Sequence, residues 1–229
     1  MIVRSIRVAL TLAVIILSLV GCVVVPASQV QTSREISAPL DLGEGRKIAV
    51  LFSSDFSPQT SRSLGEKMVD CIRTAVRDGV PGVTVVSQEH FFAAAFPGLT
   101  PQQVLIRADT IPALVARLEL RQRIDQAAID YLVMVGGQIE GQSYGGLLAP
   151  APVVVGGWDK HAKMSATLFD LRHGGVVGSG AAEASGSAFF VAPFLIPLGG
   201  GVDPDAPTCK ALGAEVVRLL GGARDRDQR

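Results

Sequence analysis

Positions 8–20, VALTLAVIILSLV, form a run of thirteen residues without a charge, preceded by a start that carries Arg4 and Arg7 and no acid. The run is short for a permanent crossing, which needs about 20 apolar residues to cover ~30 Å of hydrocarbon. A basic start, a short apolar stretch and small residues at its end have the layout of a secretory signal. Such a start constrains the rest of the chain, which then folds after export, where disulfides form and persist. No other uninterrupted apolar run suggests a second span. The remainder is built for one folded domain, since 48% of the 229 residues are hydrophobic and 18% charged, which excludes a disordered chain. Basic and acidic side chains balance at 21 each, so no global charge points to nucleic acid.

Leu19-Val20-Gly21-Cys22 resembles the lipobox of bacterial lipoproteins. The resemblance implies that Cys22 is lipidated and becomes the first mature residue, with 1–21 removed. A thiolate is the side-chain nucleophile suited to a thioether with diacylglycerol, and small Gly21 admits the peptidase. The plainer reading is an ordinary signal with a chance cysteine, or a buried core helix. One acyl chain holds a protein only marginally, whereas the two or three of such an anchor, palmitate included, hold it stably. Val23 stands where an aspartate often retains a lipoprotein at the inner membrane, which implies the outer membrane, facing the periplasm. The membrane is thus one expected partner, reached through the lipid.

Residues 22–45 lack sustained periodicity and read as a lipidated cysteine and flexible tether. KIAVLF at 47–52 suits a buried strand. Leu64, Met68, Cys71, Ile72, Ala75 and Val76 fall on one face of a helix stopped by Gly79 and Pro81, and a second strand follows at 83–86. A helix between two such strands suggests a parallel crossover. A long helix is expected from about Ala113, a central strand at 131–139 and a Gly- and Pro-rich loop at 141–157. Ala162, Met164, Ala166 and Leu168 alternate with Lys163, Ser165 and Thr167, the pattern of a half-exposed strand. Arg172-His173-Gly174-Gly175 turns this strand into another at 176–187, an apolar loop comes next, and Pro207 opens a last helix ended by Gly221-Gly222. The expected fold is a single α/β domain over 46–222. Its mixed sheet has about five strands with helices mainly on one face (β-α-β-α-β-β-β-α), and a disordered tail closes the chain at 223–229.

KIAVLF, SLGEKMVDCI, IDYLVMVGGQIEG and the hairpin MSATLFDLRHGGVVGSG together resemble a group of bacterial envelope lipoproteins: the curli secretion lipoprotein, the amino-terminal domain of TolB and lipoprotein activators of cell-wall synthases. The likeness spans roughly residues 46–220 and implies the fold more than a task. It implies an envelope protein partner and allows self-association. A curli-type pore needs two membrane hairpins with strands of ~9–11 residues. The candidate inserts at 142–157 and 188–201 are broken by prolines and read as too short.

Gly141-Gln142-Ser143-Tyr144-Gly145 fits G-x-S-x-G, the serine hydrolase elbow, which needs a helix directly after the serine. GLLAPAP comes instead, and its prolines disfavour a helix. His90, His161 and His173 have no neighbour at metal-ligand spacing, Glu140 and Glu183 are not placed in a cleft, and no cofactor is expected. With Cys22 lipidated, Cys71 and Cys209 remain as a pair: a disulfide if the first and last helices pack together, two buried thiols otherwise. The apolar loops at 147–158 and 188–198 stand out. If exposed, Phe189, Phe190, Phe194, Leu195 and Ile196 form a partner-binding patch; if folded over the sheet, they are core. The reading that gathers most of these features is a non-enzymatic accessory or assembly subunit of an envelope system. Its alternatives are a homo-oligomeric secretion channel component and a serine hydrolase at Ser143.

Overall fold

The computed structural model describes residues 30–37, 40, 42, 44–53, 62–99, 104, 106–148, 153–193, 198–201 and 203–221. In chain order they form β1 (Val30–Ile36), β2 (Lys47–Phe52), α1 (Arg62–Gly79), β3 (Thr84–Val86), α2 (Gln88–Ala95), α3 (Ile111–Val115), α4 (Leu118–Gln126), β4 (Tyr131–Leu148), β5 (Val153–Asp170), β6 (Gly175–Pro193), β7 (Leu198–Gly201) and α5 (Asp205–Leu219). The strands make one open sheet in the order β1-β6-β5-β4-β2-β3, with β7 also paired to β6. Strand β2 runs parallel to β3 and β4, while β1 and β7 run antiparallel to β6. The connections β4–β5 and β5–β6 are too short for a crossover, so those neighbours are antiparallel hairpins. This is the mixed α/β sheet expected from the sequence, with more strands. The chain divides into two compact units, a larger one of residues 28–141, 160–185 and 203–229, and a smaller one that includes 142–159 and 186–202.

In the larger unit β2 and β4 are covered on both faces, which is why KIAVLF and YLVMV are continuous apolar runs. On one face Ile48, Val50, Val133 and Met164 meet Met68 and Ile72 of α1 and Leu212 of α5. On the other, Ala49, Leu51, Leu132 and Met134 meet Phe91 and Phe92 of α2, Ile111 of α3 and Ile124 of α4. The two long helices share one face, as expected, and the three short ones form a second layer. The long helix expected from Ala113 is broken: Pro112 opens α3, and Arg117 turns extended to start α4. Helix α2 begins at the N-cap Ser87, whose hydroxyl accepts from the His90 N–H at 3.1 Å.

Helices α1 and α5 lie unusually close. Cys71 and Cys209 are joined by a disulfide with their Cα atoms 6.5 Å apart. A Cβ on Gly213 would stand 2.7 Å from the Ala75 Cβ, and one on Gly79 would stand 2.7 Å from Val217. The contacts advance by four residues on both helices, so the two run in the same direction along matching ridges.

Residues 30–36, assigned to the tether from the sequence, instead form edge strand β1, paired from Val30↔Ala184 to Ile36↔Gly178. All seven side chains are exposed, so no hydrophobic periodicity marks the strand, and its backbone ladder alone holds it. Beyond it, Leu40 and Leu42 pack against the core. The folded part thus begins before Arg46. The expected signal segment at 1–21, Cys22 and the tail at 223–229 lie outside the described residues, which end at Gly221.

Replacing Cys71 and Cys209 together by Ser is expected to cost ~2–4 kcal/mol, a drop in melting midpoint of roughly 5–15 °C for a chain of this size; thermal unfolding with and without reductant measures it. Gly213→Ala is expected to destabilise as well. The clash with a rigid Cβ costs about 1–3 kcal/mol, against a helix-propensity gain of about 1 kcal/mol, and an unchanged urea midpoint would contradict the close packing.

Candidate functional site

Short polar contacts pin the start of the sheet. Asp130, just before β4, is 4% exposed and accepts from Arg46 Nη1 at 3.1 Å and from the Lys47 backbone N–H at 3.0 Å; it also pairs with Arg172. Its own N–H donates to the Lys47 carbonyl, and its carbonyl accepts from the Leu171 N–H, both at 2.9 Å. Beside it, Asp170 closes the β5–β6 turn. Its carboxylate accepts from the backbone N–H groups of Arg172 and His173 at 2.8 and 3.0 Å and meets His173 Nδ1 at 2.7 Å. Burial alone would push this carboxyl up, but the hydrogen bonds from His173 and Arg172 outweigh it and hold the carboxyl below its ordinary value. Burial, then the Asp170 charge, pushes the Tyr131 phenol up.

Lys160 forms a second charged group with Asp203 at 3.1 Å and with Asp205, joining the larger unit's part of β5 to the start of α5. Burial would lower the ammonium, but the two carboxylates prevail and raise it. Both clusters are ion networks that hold elements in place, although Asp205 Oδ1 is buried without a hydrogen-bond partner, and among the described residues no group of His, Cys, Asp and Glu is arranged to hold a metal.

An open surface lies elsewhere in the larger unit. Phe169 and Leu171 belong to the core beneath α2–α4, and alternation carries their face back through Thr167, Ser165, Lys163 and His161, which are half-buried or exposed. On β4 the same face runs from Met134 to Gly136, whose Cβ would stand 3.5 Å from Ser165 Oγ, and on to Gln138 and Glu140. His161 Nδ1 is 2.9 Å from Ser185 Oγ, and its Nε2 is 3.1 Å from Glu183 Oε1. The sequence reading missed this cross-strand cluster; the polar alternation at 161–167 and 183–185 was its only signal. A serine, an imidazole and a carboxylate are in contact there, but on an exposed strand whose neighbouring Ala184 is paired with Val30 in the ladder. The result is a polar surface of mixed charge.

The smaller unit contains the ends of three long strands and β7. The expected loops at 141–157 and 188–198 are largely strand: β4 continues to Leu148, β5 starts at Val153, and β6 reaches Pro193. The prolines fall between strands or at a strand end, where a missing N–H costs the ladder little. Phe189 and Phe190 stand opposite Gly200 and Gly199 of β7; Phe194, Leu195 and Ile196 lie outside the described residues. Ser143 sits within β4, not at a strand-to-helix turn, so the Gly141–Gly145 motif is no nucleophile elbow. Gly157 is needed where it is, since a Cβ there would stand 2.3 Å from the Ala188 carbonyl and 2.6 Å from Tyr144 Oη. The strand ends number seven or eight residues, with four in β7, short of the ~9–11 of a membrane-crossing strand. Asp159 is the single charged residue among those described in this unit.

Because the folded Asp170 value is depressed, its contribution is present above the ordinary aspartate value of ~3.9 and fades as pH falls through the lower folded value. Asp170→Asn is therefore expected to be less stable than wild type at pH 7, with the gap closing below about pH 4. Urea midpoints from pH 7 to 2 measure this, and a gap that persists at the acid end would contradict the assignment.

No protein-family model and no curated protein matches the chain. Solved structures do. The PelC dodecamer from Paraburkholderia phytofirmans is 16% identical over 86% of this chain and 99% of that one, with a TM-score of 0.39. Lipoprotein GNA1162 from Neisseria meningitidis is 14% identical over 78% and 99%, with a TM-score of 0.35. The hypothetical protein CT253 from Chlamydia trachomatis is 13% identical over 77% and 96%, with a TM-score of 0.36. At these values the likeness decides nothing about what this chain does.

Proposed function

We propose that the protein is a lipid-anchored, non-enzymatic accessory subunit of a bacterial envelope assembly, held at the outer membrane and facing the periplasm. The observation that carries this reading is the closeness of Cys22 to the fold: with β1 paired to β6, eight residue steps separate the lipobox cysteine from Val30. Fully extended, eight residues reach about 28 Å. The lipid then holds the domain against the bilayer, and tethering raises the local concentration of its surfaces without any new contact. The larger unit offers one surface, the polar sheet face around Lys163. The polar face, of mixed sign, suits a protein partner recognised by charge complementarity.

A photo-crosslinking residue placed at Lys163 in the full-length lipoprotein, in cells, is expected to give one discrete adduct with an envelope protein. The same residue at Lys210, exposed on α5, is expected to give none. A ladder of multiples of this chain alone would replace the reading with the self-assembled channel component, and monomer from both positions would reject it.

A further inference from the structure

We infer that Arg46, Arg121 and Arg172 form a binding corner for an oxyanion, a phosphate or carboxylate group, at the end of the sheet where β2 and β4 begin and β5 ends. The inference is independent of the lipid-anchored reading. Its first support is the crowding of cations on one buried oxygen. Arg46 Nη1 and Arg172 Nη2 both contact Oδ1 of Asp130, while the Lys47 backbone N–H donates to Oδ2. Two guanidinium nitrogens on one oxygen lie within two hydrogen-bond lengths, about 6 Å, of each other. Lys47 N–H and Arg46 already satisfy and neutralise that carboxylate, so the second guanidinium brings like-charge repulsion with it. Helix α4 adds a third: Arg121 Nη2 donates to the Arg172 backbone carbonyl. Among the described residues no carboxylate pairs with Arg121.

The second support is charge. The contact network sets Arg46, Lys47, Arg121 and Arg172 against the carboxylates of Asp130 and Asp170, four positive charges against two negative. Asp170 is taken up by His173 and by the backbone N–H groups of Arg172 and His173, which leaves the arginines to Asp130 alone. The other charges on α4 and its cap cancel, Arg117 and Arg123 against Glu119 and Asp125. A local surplus of two thus stands in a chain whose basic and acidic residues balance at 21 each. The third support is access. The Arg46 and Arg172 side chains are 31% and 53% exposed, against 5% for Asp130, and Arg121 is exposed. The carboxylate therefore lies beneath, and the guanidiniums reach water above it. Each guanidinium carries five N–H donors in a planar fork, and Arg46 and Arg172 each contact Asp130 through one nitrogen. Such a fork matches the paired oxygens of a carboxylate or phosphate. Because Asp130 already holds two of the three arginines, an arriving anion has little left to order.

The test follows the side-chain Nε–H signals of nitrogen-15-labelled arginine by NMR in the full-length protein in detergent. Inorganic phosphate and succinate are the two probes, each compared with sodium chloride at equal ionic strength. The expected result is a saturable shift at Arg46, Arg121 and Arg172, with half-saturation at millimolar concentration or below, and no saturable shift at Arg73 of α1. Saturation by phosphate alone marks a phosphoryl group as the ligand and saturation by succinate alone a carboxylate; either supports the site. Arg121→Gln leaves both arginine contacts to Asp130 in place and is expected to weaken binding about three- to tenfold, the worth of one exposed charge-assisted contact. Its melting midpoint, expected to match wild type, separates lost binding from lost fold. Lys210→Gln, on the exposed side of α5, is expected to bind as wild type does. Two results overturn the inference: shifts that only track ionic strength, as those in chloride do, or saturable binding that Arg121→Gln leaves unchanged.

Discussion

The register of the parallel half of the sheet depends on Asp130. A strand buried on both faces tolerates a one-residue slip better than a half-exposed one, because apolar residues point both ways. Strand β2 is such a strand: Ile48 and Val50 face one core, Ala49 and Leu51 the other. What selects Ile48↔Tyr131 is polar. The buried Asp130 carboxylate takes the Arg46 guanidinium and the Lys47 N–H, while its backbone ties Lys47 to Leu171 at the β5–β6 turn. A slipped register would leave a buried carboxylate without these partners, at a cost of several kcal/mol. Three segments distant in sequence are therefore set by one side chain, and the apolar packing is built outward from that point.

The helix pair on one face shows how small residues and a covalent link divide the work. Ala75, Gly79 and Gly213 let the backbones approach, which gives short-range contact but little side-chain surface to specify which turn meets which. The Cys71–Cys209 bridge lies one step along the same four-residue ridge and closes 138 residues, so the first helix and the last are held together in a contact of very high sequence separation. The bridge fits a protein that folds after export, which is the expectation from residues 1–21.

Those parts of the fold that bury apolar surface periodically were legible in the sequence. The stripe Met68, Ile72, Val76 marked α1, the alternation at 162–168 marked part of β5, and the even cysteine pair raised the disulfide alternative that the structure adopts. What escaped is held by other means. Strand β1 exposes every side chain and is kept by its backbone ladder, which leaves no hydrophobic trace. In α2, QEHFFAAA is short, and Phe91 with Phe92 made no clear helical stripe. At 141–157 and 188–198 the glycines and prolines read as loops, although prolines beside or at the end of a strand leave its ladder nearly intact. The cluster of His161, Glu183 and Ser185 joins residues across two strands, and only the register brings them together.

Strand β1 changes what kind of linker a lipid anchor at Cys22 would have. A free tether of 24 residues would have a root-mean-square span of about 27 Å and a contour near 80 Å, leaving the domain to wander and turn relative to the membrane. Pairing β1 with β6 leaves only the eight residues before Val30, and it fixes the point on the sheet from which they depart. Orientation then follows from chain geometry rather than from a specific lipid contact. A short linker leaving one end of an edge strand limits how far that end can lie from the bilayer, whatever the linker's own conformation. The polar face around Lys163 belongs to strands of the same ladder, so its presentation is constrained by the same register. The edge strand that carries no core is in this way the element through which an anchor at Cys22 would set how the sheet of the larger unit is displayed.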